Sequence, residues 1–175
     1  MTAAASPVRP GDCATVSVQV RVSQEDAFEV FTQEIDLWWR QGPRFRIAGR
    51  RRGSLCFEGG VGGRLFETFE GSQGSRTIEV GRVTSWEPPA RFSFEWRGVN
   101  FKPHEKTFVE VSFEPMGSGT LVTVKHHGWS ALPDDHPARH GLTGAAFIRT
   151  IGLFWGDLMT SLREHVASSD DAPPS

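Results

Sequence analysis

The chain has 175 residues, of which 38% are hydrophobic and 23% charged, and its formal net charge at pH 7 is −2. This length and composition predict one soluble globular domain with a substantial core. Nucleic-acid-binding modules usually carry a clear basic excess, so the charge argues against a nucleic-acid partner. Cys13 and Cys56 are too few and too far apart in sequence for a disulfide framework or a zinc site, which indicates reduced thiols.

The two ends of the chain are small, polar and proline-bearing. They predict flexible tails at residues 1–12 and 168–175, which leaves a single domain over residues 13–167. Residues 1–12 lack the basic and apolar regions of a signal peptide, and no apolar run approaches membrane-spanning length. We therefore expect a cytoplasmic protein without membrane insertion, either a monomer or a homodimer.

The first predicted elements are one strand and two short helices. Residues 15–22 place a valine at every second position, which predicts a half-buried strand. Ser23 follows with Asp26 three residues later, and this spacing predicts the N-cap of a helix. A second short helical turn is expected to hold Leu37, Trp38 and Trp39.

Most of the remaining chain alternates between strand and turn signals. The six predicted strands are 54–58, 64–69, 77–86, 91–97, 106–114 and 120–127. Tight turns between consecutive strands predict an antiparallel meander, and Gly81 predicts a bulge within its strand. The glycine-rich residues 59–63 predict a hairpin connection, because a phosphate-binding loop would require a helix immediately after it.

The last predicted element is one long amphipathic helix, from about residue 144 to residue 166, with a wide apolar stripe. Gly152 and Gly156 lie inside it, at a propensity cost of about 1 kcal/mol each. They indicate either a close approach to the sheet or a gap beside a ligand. The predicted fold class is α+β, with a curved antiparallel sheet of about seven strands around this helix and two short helices after the first strand.

Several short motifs resemble one known family. They are Trp38-Trp39, Gly62-Gly63-Arg64, residues 86–91, Phe94-Glu95-Trp96, residues 119–129 and the helix around Trp155. Across about residues 15–166 the chain resembles homologues of the activator of the heat-shock-protein-90 ATPase. That family belongs to the START-related, birch-allergen-like superfamily (SRPBCC), which has the helix-grip fold.

The resemblance implies a deep cavity between the sheet and the long helix. In relatives this cavity takes lipids, polyketides and other apolar molecules. Some relatives are co-chaperones, some are cyclases or hydratases, and some protect producers against their own toxic metabolites. No invariant catalytic set and no cofactor is implied.

His126 is the most interesting polar candidate, because strand phase places it on the inward face. It is either a buried histidine satisfied by a backbone carbonyl, a ligand contact or a general base. A metal site is not expected. Adjacent strand residues point to opposite faces, so His126 and His127 cannot share an internal metal ion. His136 precedes Pro137, which disfavours a helix aligning it with His140.

The predicted ligand-binding set combines aromatic side chains with one histidine and one isoleucine. It consists of Trp39, Phe57, Phe66, Phe94, Trp96, His126, Ile151 and Trp155. Glu67, Glu70 and Glu79 are alternative pocket carboxylates, although strand glutamates usually face solvent. Arg64 has an ambiguous strand phase, so its direction stays open.

Three functions fit this pattern. The first is binding of a hydrophobic or aromatic small molecule between sheet and helix. The second is a cofactor-independent cyclase or hydratase that uses His126 with a cavity carboxylate or arginine. The third is a co-chaperone-like contact with an ATPase, which would need an exposed apolar patch on the outer face of the sheet.

Overall fold

A computed structural model describes residues 12–170 of the chain. Over this range the fold is one curved antiparallel sheet of seven strands, in the order β1-β7-β6-β5-β4-β3-β2. The strands are β1 (Ala14–Val20), β2 (Gly53–Phe57), β3 (Arg64–Gly71), β4 (Gly74–Glu87), β5 (Arg91–Trp96), β6 (Thr107–Met116) and β7 (Gly119–His127). The helices are α1 (Gln24–Gln33), α2 (Ile35–Trp38) and α3 (Gly144–Asp170). Every predicted element is present in the predicted order, which confirms the α+β class and the meander.

The predicted domain bounds of residues 13–167 lie close to the ends of the described chain. Residues 1–11 and 171–175, which hold most of the predicted tails, lie outside the described residues. Asp12 is buried, and its carboxylate accepts hydrogen bonds from the backbone N–H groups of Gly128 and Ser130. Helix α3 continues through residues 168–170. Asp12 is therefore fixed to the segment that follows β7, and α3 continues past residue 167.

The start of α1 follows from its capping residue. The Ser23 hydroxyl accepts a hydrogen bond from the backbone N–H of Asp26 at 3.2 Å, as the sequence spacing predicts. The helix then directs Phe28 and Phe31 into the core. Phe28 meets Phe92 of β5 edge to face, with ring centroids 5.5 Å apart. These contacts pack α1 against the sheet.

Glycines shape the sheet at the two predicted places. Residues 59–63 join the antiparallel pair β2 and β3, which confirms the hairpin. At the register shift after Leu65, β4 carries one residue more than β3, so Val80 is left unpaired beside Gly81. Bulges re-aim side chains, and Val80 is buried with 5% of its surface exposed. The bulge prediction is confirmed.

Helix α3 packs along β1 and covers the inner face of the sheet. Its fully buried positions include Trp155, Leu158, Met159 and Leu162. A Cβ atom added at Gly152 or Gly156 would meet no neighbouring atom within 4 Å, so there is open space where a side chain would lie at both positions. The alternative that they mark a close approach to the sheet is wrong. No helix in residues 12–170 has the length and apolarity required to cross a bilayer.

Candidate functional site

An apolar pocket of about 140 Å³ opens between α3, the end of β5 and the segment 43–47. Phe154 of α3 and Trp96 of β5 contribute aromatic faces, and Val99 forms part of the rim. The charged residues that border the pocket are Arg44, Arg46, Glu67 and Arg97. A mostly apolar lining with a few polar groups is typical of small-molecule sites. The pocket is therefore the candidate functional site.

A cluster of aromatic rings lies behind the pocket and shares Trp96 and Phe154 with it. Trp39 stacks with Trp96 at 6.2 Å between ring centroids and meets Trp155 edge to face at 5.6 Å. The Trp39 indole donates a hydrogen bond to the carbonyl of Phe45 at 3.0 Å, which joins the cluster to the pocket wall. These rings occupy the space in which the resemblance implies a deep cavity.

Most of the predicted ligand-binding residues come together in this core. The buried members are Trp39, Phe57, Phe94, His126 and Trp155, and the partly buried members are Trp96 and Ile151. The ring centroids of Phe57 and Phe94 are 5.6 Å apart, and those of Phe94 and Trp96 are 6.5 Å apart. Apart from Phe66, the aromatic members of the predicted set therefore form a continuous path of ring contacts that reaches the pocket at Trp96.

Phe66 is the exception, and its assignment to the cavity wall is corrected. Its neighbours Leu65 and Glu67 are buried, and successive strand residues point to opposite faces, so Phe66 points away from the core. The Arg64 guanidinium lies 4.7 Å from the centre of the Phe66 ring. Arg64 also pairs with Glu58 at 2.7 Å, which settles its ambiguous phase in favour of the outer face.

His126 joins the helix to the sheet by two hydrogen bonds. The Trp155 indole N–H donates to Nδ1 of His126 at 3.0 Å, and Nε2 lies 2.7 Å from the Thr107 hydroxyl. Because Nδ1 accepts, the proton of the neutral imidazole lies on Nε2, which donates to Thr107. The interpretation as a satisfied buried histidine is therefore correct, although its partners are side chains and not a backbone carbonyl.

The surroundings of His126 also keep its ring neutral. Burial, with a smaller contribution from the charge of His127, lowers the pKa of His126 from 6.5 to about 3. Its one lone pair is already engaged by Trp155. In this arrangement the imidazole has no free site with which to take a proton from a ligand, so the structure does not favour His126 as a general base.

Two buried charged side chains hold the segment that forms one pocket wall. Arg46 pairs with the Asp36 carboxylate and donates to the carbonyls of Asp36, Trp39 and Arg40. Glu67 accepts the backbone N–H of Ile47 at 2.8 Å and that of Ala48 at 3.1 Å. Both groups are therefore satisfied by hydrogen bonds, as buried charges must be.

The burial of Glu67 contradicts the expectation that the strand glutamates face solvent. Glu70 and Glu79 are exposed as expected, but Glu67 is buried and borders the pocket. The signal that sequence reasoning missed is the phase of Leu65, Glu67 and Phe69, all of which are buried. The pocket thus contains a carboxylate that was expected to face solvent.

A second, smaller aromatic cluster adjoins the first. Its buried members are Trp129, Leu132 and Phe147, and Phe101, Ile148 and Ile151 pack against them. Arg139 is buried beneath this cluster and donates to the carbonyls of Trp129, Leu132 and Pro133. Its guanidinium also lies 4.8 Å from the centre of the Phe147 ring. Arg139 therefore fixes the loop that carries Trp129.

His136 belongs to the support of this second cluster. Its Nε2 lies 2.9 Å from a carboxylate oxygen of Glu105, and its Nδ1 accepts the backbone N–H of Ala138. The backbone N–H of Lys102 and the His136 ring both lower the pKa of Glu105. His136 thus pairs with Glu105 and not with His140. In residues 12–170, no three His, Cys, Asp or Glu side chains are grouped as a metal site requires.

The outer face of the sheet is polar where β4 to β7 run side by side. Residues that border a shallow groove there include Ser85, Ser93, Glu110, Ser112, Thr123 and Lys125. The large exposed hydrophobic residues of the described chain are Leu37, Val61, Val99, Met116, Leu142 and Leu153, which lie on loops, helices and one strand end. The apolar patch that an ATPase contact through this face would need is therefore missing from the described surface.

An antiparallel sheet that wraps one long C-terminal helix defines the helix-grip class of proteins. Within that class, the sequence model of the family described as "Activator of Hsp90 ATPase homolog 1-like protein" matches residues 21–162. The chain belongs to this family. The match confirms the resemblance drawn from the Trp, Gly and His motifs. No curated protein sequence matches the chain significantly.

Solved structures share this fold. The anthrahydroquino-γ-pyrone synthase Txn09, complexed with SUM, is 30% identical, with a TM-score of 0.54 and coverage of 89% of this chain and 99% of its own. Protein MLL2253 from Mesorhizobium loti is 18% identical, with a TM-score of 0.61 and coverage of 91% and 99%. The Aha1 dimer from Colwellia psychrerythraea is 16% identical, with a TM-score of 0.55 and coverage of 88% and 95%.

Proposed function

We propose that the protein binds an aromatic small molecule, with one ring in the pocket that Trp96 and Phe154 help to line. The observation that carries this proposal is the concave, mostly apolar pocket whose lining includes the aromatic rings of Phe45, Trp96 and Phe154. Its volume of about 140 Å³ is close to that of an engineered cavity that holds benzene. A fused-ring ligand would occupy the pocket with its first ring and displace the Trp96 and Phe154 side chains to admit the others.

The similarity of this chain to one solved synthase makes oxygen-rich fused rings the first ligand class to test. The 30% identical synthase Txn09 is named for a product that joins an anthrahydroquinone to a γ-pyrone. Such rings are flat and match walls built from indole and phenyl groups. Their polar oxygens also suit the few charged residues at the border. The ligand class we propose is therefore a polyketide-type aromatic compound rather than an open-chain lipid.

Substitution of Val99 by aspartate tests the binding site with a matched control. Val99 and Val61 are 75% and 73% exposed, but only Val99 borders the pocket. We expect wild-type protein to bind anthraquinone-2-sulfonate with a Kd in the tens of micromolar, since a ligand of this size gains about 0.3 kcal/mol per heavy atom. Val99→Asp should raise this Kd about tenfold in isothermal titration calorimetry, because it places a charge at the apolar rim.

The control variant Val61→Asp carries the same charge change and should bind within about twofold of wild type. Equal weakening by the two substitutions would mean that the probe binds elsewhere. Wild-type protein that gives no saturable heat with this probe, and no thermal shift with related hydroxyquinones, would overturn the proposal.

A second candidate function is closure of a γ-pyrone ring, and the buried Glu67 carboxylate in the pocket favours it. Two of its roughly four lone-pair positions accept backbone N–H groups, which leaves capacity for a substrate proton. The reaction joins a phenol oxygen to the distal carbonyl carbon of a 1,3-diketone. Glu67 would take the phenol proton, and the carbonyl oxygen leaves as water with that proton and one from the central carbon.

Conversion of 1-(2-hydroxyphenyl)-1,3-butanedione to 2-methylchromone measures this activity by absorbance. We expect Glu67→Gln to lower the rate at least about a hundredfold, the size of a general-base contribution. The matched control is Glu79→Gln, an exposed glutamate on the neighbouring strand, which should retain the wild-type rate. A wild-type rate equal to that of buffer would rule out this activity for the model substrate and leave the binding proposal intact.

The cellular setting is part of the proposal. Cys13 and Cys56 are both free thiols, which agrees with the cytoplasmic location predicted from the sequence. Both a monomer and a homodimer remain compatible with the fold, and light scattering during size-exclusion chromatography distinguishes them.

A further inference from the structure

Trp129 carries an unused hydrogen-bond donor in the interior. Its side chain is 4% exposed, and its indole N–H is the single buried side-chain nitrogen or oxygen without a partner in the described residues. The other fully buried indoles are satisfied: Trp38 donates to the carbonyls of Val30 and Phe31, Trp39 donates to that of Phe45, and Trp155 donates to His126. A buried unpaired donor costs about 1–3 kcal/mol, so this one requires an explanation.

The acceptors around Trp129 are already engaged. His126 lies against the Trp129 ring at 4.6 Å, but its Nδ1 accepts from Trp155. The carbonyls of Trp129 and Leu132 accept from Arg139. The rest of the surrounding cluster is apolar, with Phe147 at 4.9 Å from Trp129. A trapped water needs two to four polar partners, so this environment suits an oxygen on an apolar ring better than water.

Trp129 lies one layer of side chains behind the candidate pocket. The Phe101 and Trp129 rings meet edge to face with their centroids 6.3 Å apart. Phe101 also lies against Gly98, which borders the pocket. A second chain of contacts runs through His126. Its ring centroid lies 5.7 Å from that of Trp96 in the pocket and 4.6 Å from that of Trp129. A fused-ring ligand that displaces Trp96 therefore advances toward the Trp129 side chain.

We infer that Trp129 is the specificity residue of the ligand site and donates a hydrogen bond to a ring carbonyl oxygen of an aromatic ligand. This inference rests on the proposed binding function. It predicts a preference for quinones and pyrones over hydrocarbons of the same shape, because only the oxygenated ring pairs the buried donor.

Anthraquinone-2-sulfonate and anthracene-2-sulfonate form a suitable probe pair, since they differ in the two ring carbonyls. Wild-type protein should bind the quinone about tenfold more tightly than the hydrocarbon, as expected for one paired hydrogen bond. Trp129→Phe keeps an aromatic ring but removes the donor. It should reduce that preference to within about twofold.

Nuclear magnetic resonance of indole N–H groups reports the bond directly. The resonance that disappears in Trp129→Phe identifies Trp129 among the six tryptophans. The quinone should move this resonance downfield and the hydrocarbon should not. The matched control Trp86→Phe removes an indole packed between Phe28 and Phe57, away from the pocket, and should leave the preference unchanged.

The possible results distinguish a failure of this inference from a failure of the binding proposal on which it rests. If both probes bind wild-type protein equally, or if Trp129→Phe weakens both by the same factor, the specificity role is wrong and the binding site stands. If neither probe binds wild-type protein, the proposed function is overturned together with this inference.

Discussion

Substitution of His126 by alanine is expected to lower the free energy of unfolding by about 3 kcal/mol. The change removes a fully buried ring and leaves the Trp155 indole N–H and the Thr107 hydroxyl without partners. A core cavity and unpaired buried groups each cost of the order of 1–3 kcal/mol, and the two effects add. Urea unfolding followed by circular dichroism measures the difference.

The adjacent histidine supplies the control for that measurement. His127 lies on the other face of β7, where it stacks on Phe108 at 5.6 Å and approaches Glu110 at 3.8 Å. His127→Ala should therefore cost less than about 1 kcal/mol, as expected for a partly exposed site. Equal losses from the two substitutions would contradict the role assigned to His126 as the link between helix and sheet.

The second large effect is a dependence of stability on pH below 6.5. In the unfolded chain His126 takes up a proton near pH 6.5, whereas in the folded protein burial lowers its pKa to about 3. Between these values the unfolded state binds more protons, so the free energy of unfolding falls as the pH falls. The loss from this group approaches about 1.4 kcal/mol per pH unit between pH 5.5 and pH 4.

A variant without the titrating ring isolates this contribution. His126→Asn keeps one donor and one acceptor but does not titrate, so carboxylates and other groups contribute equally to both proteins. We expect the wild-type free energy of unfolding to fall more steeply with decreasing pH than that of the variant. Parallel profiles from pH 6.5 to pH 4 would show that His126 is protonated in the folded state or accessible to solvent.

Strict alternation made much of this fold predictable. In β5, Phe92, Phe94 and Trp96 alternate with polar residues, and the structure buries the predicted face. In β7 the same logic placed His126 inward. A side chain on such a strand has only two directions available, and the apolar neighbours select one of them.

The strand β3 shows where the sequence becomes ambiguous. It carries large apolar residues on both faces, with Leu65 on one and Phe66 on the other. Alternation alone therefore could not assign Phe66 to the outside. Glu67 is buried because the backbone N–H groups of Ile47 and Ala48 satisfy it. Those partners lie in a preceding segment without regular structure, and no local pattern reveals such a contact.

The contacts that hold the second aromatic cluster in place could not be predicted from the sequence for a similar reason. Glu105 and His136 lie in different loops, 31 residues apart, and meet only after the sheet has formed. Arg139 binds backbone carbonyls, whose positions depend on loop geometry. The unpaired indole of Trp129 is likewise a property of the packed structure, since any tryptophan in the sequence looks the same until its neighbours are known.

A crystal structure of the protein with anthraquinone-2-sulfonate tests the central claim most directly. We expect one ligand per chain, with its first ring in the pocket lined by Trp96, Val99 and Phe154 and a quinone oxygen within hydrogen-bonding distance of the Trp129 indole nitrogen. A ligand on the polar outer face of the sheet, or crystals that remain empty at saturating ligand while the aromatic cluster is unchanged, would contradict it.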